Sequence, residues 1–293
     1  MKLALRCNLG LGDVVVLTAA IRELKQQHNY DLLPIVPIAY NTLLRNSPHF
    51  RQDIQYNTRL EYPQVLNCDP MAAGFYTFYQ HKKHFVQYAL DWFSAQLGLD
   101  LATDKIRGSI YLTDTEKNNR PMAAPYWVIV AGGKYDATVK FYPWWQEVVK
   151  GLPCKVVQTQ NDKDYHPKLS GVQHVQTRSA RDFATLIYHS VGVIAPVTGA
   201  THIAGAFGKP CVTIAGGYEP AGWIQYPNHI VLNQFGLPCC LSQACFKKWA
   251  YKTSHGQPHQ ECQDKTQVGD MLFPACMKQL EPGRVVDAVK SLS

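Results

Sequence analysis

No apolar run in the 293-residue chain approaches the roughly 20 residues that a helix needs to cross a bilayer. Charged residues are sparse at 17%, against 46% apolar ones, a balance that excludes a disordered chain and provides for a sizeable core. No block of Lys or Arg reaches the length of a nucleic-acid-binding arm. The formal net charge is nonetheless +7, which leaves an acidic ligand, a polyanion or a peripheral membrane contact open as partners. The first apolar stretch is not expected to be a secretory leader, because Asp13 interrupts it and Arg22, Glu23 and Lys25 follow at once. Nine cysteines are an odd number, and none stand in a C-x-x-C pair. Together with that expectation they argue against a secreted disulfide scaffold and for a cytoplasmic protein.

What is present begins with "NLGLGDVVVLTAAIREL" at residues 8–24. The preceding "KLALRC" reads as a short buried strand, and Leu17, Ala20, Ile21 and Leu24 fall at the spacing of one helix face. Strand, glycine turn and helix follow one another here. Gly10 and Gly12 lack the third glycine of a dinucleotide-binding turn, and a carboxylate, Asp13, stands at the helix entrance where it would compete with a pyrophosphate. Asp13 is either a helix cap or a chemical group.

Further along, "DLLPIVPI" is an edge or irregular strand broken by Pro34 and Pro37, and "HKKHFVQYALDWFSAQLGL" is a helix closed by Gly98. Residues 50–80 show no clear period. "SIYLTDTEKNNRPMAAP" reads as a short strand and a polar linker, which places a domain boundary near residue 120. Beyond it, "YWVIVAGG", "CKVVQTQ", "VGVIAPV" and "PCVTIAGG" are strands alternating with helices, of which "PWWQEVVKGL" carries Pro143 in its first turn. That alternation predicts a parallel sheet covered on both faces, with ligands at the carboxyl ends of the strands. The expected fold is α/β, with two domains, 1–120 and 121–293, facing across a cleft.

The most informative segment is "PVTGATHIAGAFGKP". Thr198, Gly199, Ala200, Thr201 and His202 open a helix after a strand, where free amides and the helix dipole suit a diphosphate. Thr198 and Thr201 add hydroxyls and His202 an imidazole. Alternatively, Thr198 is only a cap and His202 a core histidine. Lys140, on the loop "GGKYDATVKFYP" after Gly132 and Gly133, can reach a phosphate oxygen or lie solvated on the surface.

The segments "GLGDVVVLTAAIREL", "TVKFYP", "TRSARDFATLI" and "VTGATHIAGAFGKP" resemble, in order and approximate spacing, glycosyltransferase family 9, the ADP-heptose:lipopolysaccharide heptosyltransferases. The resemblance implies a GT-B fold of two Rossmann-like domains, the first binding an acceptor and the second a nucleotide-sugar. It also implies inverting sugar transfer without a catalytic metal. Asp13 then matches the family's general base, with Gly10 and Gly12 on the acceptor-side loop. Lys140, Thr138, Gly132, Gly133 and Thr198–His202 match the donor phosphate site. Gln160, Asn161 and Asp162 match the ribose-binding loop, and Arg178 precedes the helix where backbone groups meet the base. The chain departs from the family pattern at Val197, where many relatives carry an acid contacting the donor sugar.

Five cysteines crowd residues 239–276 in an insertion at about 236–280. Cys240, Cys245, Cys262 and Cys276 could hold a structural zinc or iron, form disulfides or remain free thiols. Some members of the resembling family carry a metal-binding cysteine finger there. The expected function is transfer of a heptose or related sugar from an ADP- or UDP-linked donor to a glycan hydroxyl. The alternatives are transfer to a nucleic-acid base or protein, and a non-catalytic nucleotide- or glycan-binding protein.

Overall fold

The computed structural model describes residues 1–50, 62, 64–69, 71, 83–123, 125–133, 138–160, 166–241, 244–246, 251–252, 258–259 and 262–293. The first half is built on three parallel strands, β1 (Lys2–Arg6), β2 (Asp31–Ile35) and β3 (Gln64–Asn67), in the order β2-β1-β3. Pro34 lies in β2, an edge strand, where the missing amide costs little. Helix α1 (Leu11–His28) crosses from β1 to β2. Leu17, Ala20, Ile21 and Leu24 are fully buried, as their spacing predicts. Burial nevertheless runs round the helix from Val14 to Leu24, because a second body covers its other side. Val14, Val16 and Leu17 pack with Leu3, Leu5 and Phe93 of the first half. Val15 packs instead with the core of the second half.

Two helices follow, the one-turn α2 (Ile38–Asn41) and α3 (Phe85–Leu97), the latter ended by Gly98 at φ 64°. The segment beyond is fastened to α1. The buried Arg22 guanidinium donates to Lys105 O, Arg107 O, Ser109 Oγ and Thr103 Oγ1 at 2.7–3.3 Å. The short strand expected over residues 109–113 does not form. Thr113 instead caps a one-turn helix, α4 (Asp114–Asn118), in a reciprocal bond with Glu116.

The second half is a six-stranded parallel sheet: β4 (Trp127–Ile129), β5 (Val156–Gln160), β6 (Gln173–Gln176), β7 (Gly192–Pro196), β8 (Cys211–Gly216) and β9 (His229–Asn233). Its order is β6-β5-β4-β7-β8-β9, the doubly wound arrangement, with the reversal between β4 and β7. The main helices are α5 (Trp145–Gly151), α6 (Ala180–His189), α7 (Gly199–Phe207), α8 (Ala221–Ile224), α9 (Ala275–Gln279) and α10 (Pro282–Leu292). Pro143 precedes the α5 cap residue, Trp144, rather than lying in the first turn. Helix α10 packs back on the sheet through Val285 and Val289, and Gly151 leaves room for Val286. The insertion adds two small antiparallel pairs, β10 (Tyr251–Lys252) with β11 (Pro258–His259) and β12 (Lys265–Val268) with β13 (Met271–Pro274). Among the described residues, no helix is long and apolar enough to cross a membrane.

Candidate functional site

The starts of α1 and α7 meet across the two halves. A Cβ on Gly12 would lie 2.7 Å from His202 Cδ2 and 3.7 Å from Gly199 Cα. A Cβ on Gly199 would lie 2.8 Å from Leu11 Cγ. Only the bare glycine backbones let these first turns touch. The residue next to Gly12 is Asp13, in the first turn of α1, half-buried, its Oδ2 accepting from Gly10 N at 3.1 Å. The capping role read from sequence is therefore realised, in the very turn that abuts α7. Asp69, two residues past the end of β3, braces the same loop by accepting from Asn8 N at 2.7 Å and Asn8 Nδ2 at 3.2 Å.

The opposite wall is the switch point between β4 and β7, where a doubly wound sheet binds ligands. Gly132 is buried three residues past the end of β4, and a Cβ on Gly133 would lie 3.8 Å from Thr198 Cγ2. Thr198 is the extended N-cap of α7 but makes no side-chain cap bond. Its Oγ1 is buried without a hydrogen-bond partner among the described residues. Gly199 and the buried Ala200 supply first-turn amides that the helix itself cannot satisfy. Thr201 plays another part from the one expected: its hydroxyl donates to Pro196 O at 3.1 Å and ties α7 to its own strand.

His202 is buried, with Nδ1 2.7 Å from the Tyr226 hydroxyl. Burial, reinforced by nearby His84, Lys140 and His229, pushes its pKa down to about 3 and keeps the ring neutral. It is a partnered core histidine whose ring edge faces Gly12. Tyr226, which sequence reading passed over, fixes that ring and packs on Gly205, where a Cβ would come within 2.5 Å.

Lys140 closes a 3₁₀ turn opened by Thr138. It is not a solvated surface lysine. Its Nζ donates to Val197 O at 2.7 Å and pairs with Glu219 Oε1 at 3.0 Å. Glu219 is 3% exposed and was also missed from sequence. Its only signal was its place three residues past the β8 strand end. Val197 itself is buried in an apolar cluster with Tyr218, Trp223 and Phe246.

The remaining candidates are less engaged. Arg178 is exposed, one residue ahead of the α6 cap, Ser179. Gln160 ends β5. Asn161 and Asp162 lie outside the described residues.

The insertion thiols gather at one turn. Cys276 Sγ and Cys240 Sγ would each lie 3.1 Å from a Cβ on Gly216 and Gly217 respectively, and Cys245 N donates to Gly217 O at 2.9 Å. Burial, with a smaller push from neighbouring thiols, raises Cys245 to about 12 and Cys276 to about 11. Cys262 donates to Asp264 O at 3.2 Å. Among the described residues no three His, Cys, Asp or Glu are arranged to hold a metal ion. Cys240, Cys245, Cys262 and Cys276, the residues expected to hold a metal or pair, stand as free thiols here, all but the half-buried Cys245 buried, and Cys240 and Cys276 pack on the Gly216–Gly217 turn.

No protein-family profile matches the chain, and no curated protein matches it in sequence. Solved structures do match it. The E. coli heptosyltransferase WaaC with ADP superposes with a TM-score of 0.60 at 16% identity, over 83% of this chain and 97% of that one. The E. coli ADP-heptose lipopolysaccharide heptosyltransferase II gives 0.64 at 13% identity, over 100% and 98%. The dodecameric iron-containing glycosyltransferase TibC from enterotoxigenic E. coli H10407 gives 0.68 at 17% identity, over 99% and 75%. With two parallel sheets and abutting helix starts, these likenesses establish the fold as GT-B, two Rossmann-like units face to face.

Proposed function

We propose that the chain is an inverting glycosyltransferase of the family 9 type, acting without a catalytic metal. It moves a heptose or related sugar from an ADP- or UDP-linked donor to a glycan hydroxyl. The observation that carries this reading is the contact of Gly12 with Gly199 and His202, which sets the Asp13 turn against the start of α7. The solved structures of like fold bear ADP and an ADP-2-deoxy-2-fluoro heptose, which supports the donor class. The first unit, to about residue 120, would hold the acceptor, and the second the donor. Arg22 fastens residues 103–109 to the first unit, while Glu116 is bound to Arg181 of the second, which supports a boundary there.

In the reaction, Asp13 takes the proton of the acceptor hydroxyl as its oxygen bonds to the anomeric carbon. The bond from that carbon to the diphosphate oxygen breaks, and the nucleoside diphosphate leaves with the electron pair. The amides at the start of α7, the Thr198 hydroxyl and the Lys140 ammonium stabilise the charge that collects on it. One observation favours a non-catalytic nucleotide-binding protein instead: the Asp13 carboxylate already serves Gly10.

Thermal unfolding with ADP, UDP and their sugar conjugates tests the donor reading. A nucleotide at a hundred times its dissociation constant is expected to add about 2.7 kcal/mol of stability. No stabilisation by any of them would contradict it. Binding without consumption of the sugar conjugate, across a pool of glycan acceptors, would favour the non-catalytic reading.

A further inference from the structure

A carboxylate held inside a site meant for a diphosphate calls for an explanation, since it repels the ligand. Glu219 is such a group. Its backbone is tied down: Asn233 Nδ2 donates to Glu219 O at 2.7 Å and to Gly216 O at 3.0 Å, and Tyr218 N donates to Ala215 O at 3.2 Å. Burial raises its carboxyl above the ordinary range, opposed by Lys140. The lysine, in contrast, stands at the end of a long side chain with much rotamer freedom to lose. It is held from two sides, by Val197 O and by Glu219 Oε1, while the Tyr218 ring lies 5.9 Å from its Nζ. An ammonium has three N–H donors. Two are used, and the residue following Val197 is Thr198, whose buried hydroxyl has no partner among the described residues.

We propose that Glu219 is a positioning residue of the donor pocket, fixing the Lys140 ammonium beside the start of α7 with its third N–H left for the diphosphate. The inference rests on the donor reading above. It gives the acid a purpose that an ordinary buried ion pair lacks, because such a pair contributes little net stability. It also separates two demands on the side chain. Its oxygen must be at the right distance from Nζ, whereas its charge works against the phosphates.

Calorimetric titration of ADP and UDP into the intact chain and its variants distinguishes these demands. E219D keeps the charge but withdraws the oxygen by one methylene. It is expected to weaken nucleotide binding about tenfold, or about 1.4 kcal/mol. E219Q keeps an oxygen at the same reach and is expected to stay within about threefold of the parent. In a K140A background, E219D is expected to change affinity by less than about twofold, because its effect runs through the lysine. The proposal is overturned if E219D binds like the parent while E219Q loses affinity, or if E219D weakens K140A as much as it weakens the parent. Unfolding temperatures of each variant separate a folding defect from these outcomes, and E219Q is near-isosteric should E219D fail to fold. A parent chain that binds neither nucleotide refutes the donor reading and this proposal together. A parent that binds, with a failed cycle, refutes only the proposal.

Discussion

Asp13 carries a cap bond and, on the proposed mechanism, a proton, and replacing its carboxylate by an amide separates the two. The amide in D13N would still offer an oxygen to Gly10 N, so this variant is expected to cost less than about 1 kcal/mol of stability. It cannot take the acceptor's proton, so donor consumption with acceptor present is expected to fall about 10²- to 10⁴-fold, with nucleotide affinity unchanged. Steady-state turnover and calorimetry together check this, and undiminished turnover would remove Asp13 from catalysis. At this scale the sequence named most of the residues on the page but not their bonds. Thr201 looked like a ligand donor because it shares a helix start with Thr198, yet its hydroxyl goes to Pro196 O. Glu219 and Tyr226 stayed hidden because their roles come from partners 79 and 24 residues away in sequence.

Between elements, the touching helix starts depend on glycine. A Cβ at residue 12 meets a ring that Tyr226 and Phe85 hold in place. G12A is therefore expected to destabilise the chain by about 1–3 kcal/mol in denaturant unfolding. On the linker side, Arg181 joins α6 to the first unit by donating to Glu116, Tyr111 O, Thr42 O and Arg45 O. This bond lowers the Glu116 pKa to about 2, below the ordinary 4.5. The stability it brings is present above pH 4.5 and is lost as the pH falls toward 2. In R181M that loss is expected to flatten, which unfolding measured across the window checks. An unchanged acid limb would contradict it. The periodic elements were legible: the helices α1, α3, α6 and α7, and the buried strands β4, β5, β7 and β8. The strands β6 ("QHVQ") and β9 ("HIVLN") were not, because they are short, partly polar edge strands that only their paired neighbours define. The reach of burial around α1 was likewise unreadable, since it is set by the second unit.

Across the whole molecule, the two units share a buried cluster of rings. His84 comes from the first unit, His202 and His229 from the second, with Tyr226 packed against each of the three. Burial lowers His84 and His229 to about 4 and His202 to about 3. The unfolded chain takes up these protons near pH 6.5 while the folded one resists, so stability is full above pH 6.5 and falls as the pH drops toward 4. Each histidine contributes a slope of about 1.4 kcal/mol per pH unit in that window. Replacing His84, as H84N, is expected to remove one proton from the uptake on unfolding; an unchanged pH slope would contradict this.

The central claim is that a nucleoside diphosphate sits at the switch point of the second sheet, facing the Asp13 turn of the first. A crystal structure of the chain with ADP tests it most directly. The expected result is phosphate oxygens within about 3 Å of the amides at the start of α7 and of Lys140 Nζ. ADP ordered at any other place, or a phosphate group that leaves Lys140 paired only with Glu219 and Val197, would contradict it.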